Sequence, residues 1–297
     1  VRKPNFVIPG AGRSGTTALV GYLKQHPEVF IPHQKEPNYF CKKYDLGVDW
    51  YLGLFYREYR EKGVMESFVY DLLYNYWSGE KAVGEASTAY LNCEGCPRRM
   101  HEFNPDFKLI FLLRNPIERA FSNYKKEIQV LGVEKPFGEM VKEKDERASK
   151  YLQYGLYYRN INNFLDFFSK KQMLFVLFED FVEEPEDELQ RIFEFLDLEA
   201  DFALDTSKID KNPSRMPISL RLQRLISTEL RAEVDEWFFK RAFLYLARSL
   251  LNPLNHLLEI REPPEIGKET KKELVEYFRD DIVKLESFLG RDLSHWI

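Results

Sequence analysis

Two stretches of this chain carry residue types suited to gripping anions. The first is Gly10-Ala11-Gly12-Arg13-Ser14-Gly15-Thr16-Thr17, which follows the short apolar run Asn5-Phe6-Val7-Ile8-Pro9. Glycines let the backbone wrap an anion with its N–H groups. Ser14, Thr16 and Thr17 add hydroxyl donors, and a helix starting behind the turn adds the positive end of its dipole. The second is Arg114, placed directly after the continuous apolar run Phe107 to Leu113. Ser122 follows at a distance that puts it on the next helix, where its hydroxyl could donate to the same anion.

What is missing from both stretches narrows the chemistry. A Walker A loop needs Gly-Lys-Ser/Thr, but here Gly15 is followed by Thr16, and the cation stands inside the loop as Arg13. A nucleoside triphosphatase also places a carboxylate near the end of the second strand to handle magnesium, and this chain has Arg114 there. Two anion sites on neighbouring strand ends, neither with a metal carboxylate, suit a ligand with two separated phosphate groups.

These residues need elements to position them. Asn5–Pro9, Val29–Ile31, Lys81–Glu85, Phe107–Leu113 and Met173–Phe178 are expected as strands. Thr16 to Gln25 has helical periodicity, and Asp49 is expected to cap a helix through about Arg60. Asn115 and Pro116 suit the cap and first position of another helix. Tyr151 to Phe168 is expected as one long amphipathic helix, with further helices at Pro185–Leu196 and Glu269–Leu289. Strands alternating with helices predict an α/β fold of three layers, P-loop in type, around a central parallel sheet. Residues 1–297 are expected to form one domain, with a helical C-terminal region that includes a cap-like stretch over about 215–262.

Bulk properties exclude some classes. A net charge of −5 with 43 Lys and Arg argues against a general nucleic-acid binder. No run approaches a transmembrane span, and no signal peptide is visible. The 24 Phe, 17 Tyr and 4 Trp are expected mainly in the core. Cys93-x-x-Cys96 is half of a zinc pattern or a redox pair, but no second pair exists and His101 alone does not complete a site. The expectation is a reduced pair and no metal.

With these residues in place, the sequence resembles the sulfotransferases that use 3′-phosphoadenosine 5′-phosphosulfate (PAPS). The loop Gly10–Thr17 is similar to the family's 5′-phosphosulfate loop. Leu113-Arg114-Asn115-Pro116-Ile117-Glu118-Arg119-Ala120-Phe121-Ser122-Asn123-Tyr124 is similar to its 3′-phosphate motif. Lys35-Glu36-Pro37-Asn38-Tyr39-Phe40, with Gly47-Val48-Asp49-Trp50-Tyr51, resembles the heparan-type carbohydrate branch and its bacterial relatives. Gly84-Glu85-Ala86-Ser87-Thr88-Ala89-Tyr90-Leu91 resembles a substrate-side motif of that branch, and the ending Leu285–Trp296 resembles the tail of bacterial members. Many members carry Lys where Arg13 stands, and many glycan-acting members carry Lys where Ala86 stands. The small-molecule branch's catalytic His has no counterpart here.

The resemblance implies transfer of a sulfuryl group from PAPS to an acceptor hydroxyl or amine, with a glycan or other hydroxylated molecule as acceptor. It implies Glu36 as general base, with Glu85 and His33 next in line. Arg13, the loop N–H groups and Thr16 would stabilise the leaving phosphate, so the donor-binding set is Gly12, Arg13, Ser14, Gly15, Thr16, Thr17, Arg114 and Ser122. Lys211 and Arg215 join it as contacts on the 3′-phosphate or adenine side. The expected location is the cytoplasm for the full chain of a bacterial relative, or a lumen for a trimmed Golgi-type domain. The alternatives are a P-loop small-molecule kinase, a sulfotransferase acting on a non-carbohydrate small molecule, and a nucleotide-binding module without turnover.

Overall fold

The computed structural model describes residues 3–61, 80–199 and 264–297. The calls on Lys211, Arg215 and the stretch 215–262 lie outside the described residues. In chain order the elements are β1 (Phe6–Gly10), α1 (Thr16–Leu23), β2 (Val29–Phe30), α2 (Tyr39–Lys42), α3 (Val48–Glu61), β3 (Ala82–Ala86), α4 (Cys96–Phe103), β4 (Lys108–Leu113), α5 (Pro116–Leu131), α6 (Phe137–Lys142), α7 (Glu146–Gln153), α8 (Tyr157–Leu165), β5 (Met173–Leu177), α9 (Phe178–Glu183), α10 (Pro185–Phe195) and α11 (Lys268–Leu289).

The chain divides into two compact units. The first comprises Val1–Asn115, Leu156–Lys211 and Asp280–Trp296; the second comprises Pro116–Gly155, Asn212–Arg279 and Ile297. The first unit holds a five-stranded sheet in the order β2-β3-β1-β4-β5, and every pairing is parallel. This is the expected α/β sheet. β1, β3 and β4 are apolar and buried almost throughout, as strands covered on both faces must be. Leu19, Val20 and Leu23 of α1 pack with Leu189, Ile192 and Phe193 of α10 in one core cluster with Ile8, Ile110, Leu112 and Val176. Phe111 meets Phe164 edge-on at 5.3 Å and stacks on Phe175 at 5.2 Å.

The order matters for function. From β1 the chain moves outward to β2 and returns by β3, then crosses to the other side as β4 and β5. β1 therefore lies at the reversal of strand order, and the loops at the carboxyl ends of β1 and its neighbours form the expected ligand crevice of an open parallel sheet.

The second unit packs α5 on α6 through Phe121, Tyr124 and Phe137, with ring centroids 5.3–5.7 Å apart. Arg119, buried in α5, donates to the Tyr151 carbonyl. A Cβ on Gly155 would stand 2.8 Å from the Phe278 ring, so only glycine fits there.

Two expectations need correction. Asp49 lies inside the first turn of α3, which starts at Val48, where its charge still suits the dipole. The long helix over 151–168 is two helices, α7 and α8, with a break at Tyr154–Leu156. Leu156 caps nothing with its side chain. The carboxylate of Asp281, from the last helix, instead accepts from the N–H groups of Tyr158 and Arg159 at 3.0 Å each.

Candidate active site

The site is built from the first unit. β1 ends at Gly10, and the loop that follows turns back through Arg13, whose φ of 72° is unusual for a residue with a side chain. Gly15 has φ 87° and begins α1 with no side-chain cap on its first turn. The loop therefore leaves the helix N-terminus to a ligand. Its shape allows little else: a Cβ on Gly12 would lie 3.3 Å from Thr88 Oγ1, and one on Gly15 would lie 3.1 Å from the Phe178 ring. Ser14 Oγ is fully buried and has no hydrogen-bond partner among the described residues. A buried hydroxyl without a partner is costly, and an anion held in the loop would relieve it.

Lysine returns from the next loop. Lys35, after β2, reaches Thr17 Oγ1 at 2.7 Å and approaches Thr16 Oγ1 at 3.4 Å. Its ammonium thus sits on the first turn of α1, the region a Walker lysine serves from within its own loop. Burial lowers the Lys35 pKa, and the neighbouring Glu36 charge opposes that shift. Within the Gly10–Thr17 loop itself Arg13 is the one cation. The signal was present in the residue directly before Glu36.

Glu36, half-buried, is held at three points. Its Oε1 accepts from Thr88 Oγ1 at 2.9 Å, its N–H donates to the Ala86 carbonyl at 3.3 Å, and its own carbonyl accepts from Asn38 Nδ2 at 3.1 Å. Thr88 is the hinge of the arrangement, since the same hydroxyl faces both Gly12 and Glu36. Arg13, Glu36 and Asn38 are three of the five described non-glycine residues with positive φ. Such strain gathers where a site dictates geometry.

Beneath this loop lies a carboxylate the sequence ranked only as a fallback. Glu85, at 1% exposure, accepts from Ser87 Oγ and Tyr90 Oη at 2.7 Å each and from Tyr51 Oη at 3.5 Å. Ser87 Oγ in turn accepts from the Asn38 N–H at 2.9 Å. Glu85 thus acts on the Glu36 loop through Ser87. Burial raises its pKa to about 7; the three hydroxyl donors oppose this, while the Glu36 charge adds to it. Buried under three hydroxyls, Glu85 is placed to hold the loop. His33 is exposed.

Arg114 emerges from β4. Its guanidinium lies over the Phe178 ring at 4.7 Å and donates weakly to the Arg13 carbonyl at 3.4 Å. Its backbone carbonyl is fixed by Tyr157 Oη at 2.9 Å, and the next N–H, of Asn115, donates to Glu179 Oε1 at 3.0 Å. Burial lowers the Arg13 pKa, and the nearby Arg114 charge adds to this. Two guanidiniums held close together, one largely desolvated, favour an anion between or beside them. Ser122 is buried in α5, in the second unit.

This geometry, an uncapped anion loop flanked by cations, meets the comparisons with known proteins. A model of the sulfotransferase family matches residues 4–202. The chain belongs to the sulfotransferase family. This sulfotransferase is 30% identical over 206 residues to heparan sulfate glucosamine 3-O-sulfotransferase 6 of Mus musculus, covering 66% of this chain and 53% of that protein. It is 29% identical over 303 residues to heparan sulfate glucosamine 3-O-sulfotransferase 3B1 of Homo sapiens, covering 98% of this chain and 64% of that one. The sulfotransferase thus spans between half and two thirds of the length of these relatives. Among solved structures it is similar to a sulfotransferase from Alicyclobacillus acidocaldarius, with TM-score 0.66, 28% identity, and 100% and 99% of the two chains covered. The chain is therefore a member of an enzyme family, with a P-loop-type α/β fold. Among its described residues, no helix is long and apolar enough to cross a membrane.

Proposed function

We propose that residues 1–297 form one sulfotransferase domain that moves a sulfuryl group from PAPS to a hydroxyl of a carbohydrate acceptor. The observation that carries this reading is the seating of Glu36 against the phosphate loop through Thr88 (2.9 Å), with Lys35 on Thr17 (2.7 Å) beside it. A candidate base and a candidate leaving-group cation thus flank one anion loop. The acceptor hydroxyl gives its proton to the Glu36 carboxylate as its oxygen attacks sulfur. The bond between sulfur and the phosphate oxygen breaks, and the charge that develops on the 5′-phosphate faces Arg13, Lys35, Thr16 and the loop N–H groups. Gly12, Ser14, Gly15 and Thr17 complete the loop's contacts. Arg114, at the end of β4, holds the 3′-phosphate.

The carbohydrate acceptor is supported by the relatives named as heparan sulfate 3-O-sulfotransferases. Ala86, buried at the end of β3, offers no cation to the acceptor. We therefore expect a less anionic glycan to be accepted than by members with Lys at that position. The donor assignment is tested by calorimetry with 3′-phosphoadenosine 5′-phosphate in EDTA against magnesium-ATP. Tight, metal-independent binding of the former is expected. Equal or tighter binding of magnesium-ATP would favour a kinase instead.

A further inference from the structure

The sequence has three cysteines, and the fold brings all three together. Cys41 lies in α2, Cys93 before α4 and Cys96 at the start of α4, and their sulfur atoms all lie within 4.8 Å of one another. Cys41 is remote in sequence from the other two, so the Cys-x-x-Cys pair gains its third thiol only through the packing of α2 on α4. The meeting is not a loose surface contact. Arg99 of α4 donates to the carbonyls of Phe40 and Cys41 at 3.0 and 3.4 Å and lies over the Tyr44 ring at 4.5 Å. Tyr90 Oη accepts from the Phe40 N–H at 3.3 Å. The segments bearing the thiols are thus already locked together.

We propose that Cys41, Cys93 and Cys96 form a thiolate site for a soft divalent cation, zinc foremost, that ties the loop carrying Glu36 to the segment carrying Thr88. A zinc–sulfur bond is about 2.3 Å, so three thiolates on a tetrahedron stand roughly 3.8 Å apart. The observed spacing needs to close by no more than about an ångström. Cys96 is buried, while Cys41 and Cys93 are half-exposed, so solvent or an outside ligand can take the fourth position. The surroundings suit a site with excess negative charge. The Arg99 guanidinium and the Lys42 ammonium supply positive charge near Cys41. Such outer contacts orient ligands and hold their charge.

The position gives the site a purpose. Cys41 follows Glu36 by one short turn and helix, and Cys93 follows Thr88 by the 3₁₀ turn Tyr90–Asn92. The hydrogen bond between Glu36 and Thr88 therefore lies between two strands of chain that the cation would clamp.

The test uses the full chain, prepared under reducing conditions, stripped with chelator and titrated with zinc or cobalt(II). About one equivalent of zinc is expected to bind, to protect the three thiols from alkylation and to raise the melting temperature. Cobalt(II) should give an intense thiolate charge-transfer band together with visible bands of tetrahedral type. Cys41→Ser should weaken cobalt binding at least tenfold and reduce the charge-transfer intensity by about a third. Should that variant fold poorly, the wild-type alkylation pattern decides the matter. Equal alkylation of all three thiols with and without zinc would overturn the proposal. So would a cobalt spectrum unchanged by Cys41→Ser, or a disulfide as the stable state while zinc and reductant are present.

Discussion

Glu85→Gln isolates the buried carboxylate beneath the Glu36 loop. In the folded protein Glu85 titrates near 7, against an ordinary value of 4.5, because burial outweighs the three hydroxyls that donate to it. Below pH 4.5 both the folded and unfolded chains hold this proton, and the group costs nothing. Between 4.5 and 7 the unfolded chain releases the proton while the folded chain keeps it. Stability therefore falls with rising pH, by about 1.4 kcal/mol per pH unit for one proton. Over this window the loss comes to about 3 kcal/mol, and it levels off as the pH rises past the folded pKa. Glutamine keeps one acceptor, for Tyr90, turns an amide N–H toward Ser87, and does not titrate. The assay is urea unfolding of wild type and Glu85→Gln at half-unit steps from pH 4.5 to 8. The wild-type stability minus that of the variant should drop by about 3 kcal/mol between pH 4.5 and 7 and then level. Parallel curves would refute the reasoning, because they would mean that Glu85 titrates alike in both states.

Further outcomes follow from the cations. Arg114→Ala removes a charge-assisted contact worth about 1.5–3 kcal/mol, so affinity for 3′-phosphoadenosine 5′-phosphate should fall tenfold or more by calorimetry. The loss should shrink for adenosine 5′-phosphosulfate, which lacks the 3′-phosphate; an unchanged ratio would remove Arg114 from that clamp. Lys35→Met takes away the ammonium seated on Thr17, and turnover at saturating donor should fall roughly ten- to a hundredfold. Full turnover in that variant would show that Arg13 and the loop amides carry the leaving charge without it.

Much of this was readable in the sequence because strong local signals agreed with the fold. The apolar run before Arg114 became the β4 strand, and the glycine-bearing turn became an uncapped anion loop after β1. What escaped depended on contacts between distant residues. The break between α7 and α8 is satisfied by Asp281, more than a hundred residues away in sequence. Periodicity across Tyr151–Phe168 could not reveal that. Lys35 takes up a position normally filled from within the loop, so a motif search over Gly10–Thr17 finds a gap where the fold has a cation. Glu85 is buried in β3, and its hydroxyl partners combine Ser87 and Tyr90, just after the strand, with the distant Tyr51 of α3. Cys41 joins Cys93 and Cys96 only when α2 packs on α4.

In the proposed mechanism the carboxylate hydrogen-bonded to Thr88 accepts the acceptor's proton. Glu36→Gln tests it most directly, with nucleotide affinity and single-turnover sulfuryl transfer measured on the same preparation, using the best acceptor from a panel of oligosaccharides, phenols and alkyl alcohols. The amide preserves size and can still accept from Thr88, so affinity for 3′-phosphoadenosine 5′-phosphate should stay within about twofold, a few tenths of a kcal/mol. Transfer should fall by about 10²–10⁴-fold, the usual contribution of a general base. Transfer at the wild-type rate, with affinity unchanged, would contradict the account and move the base to another group.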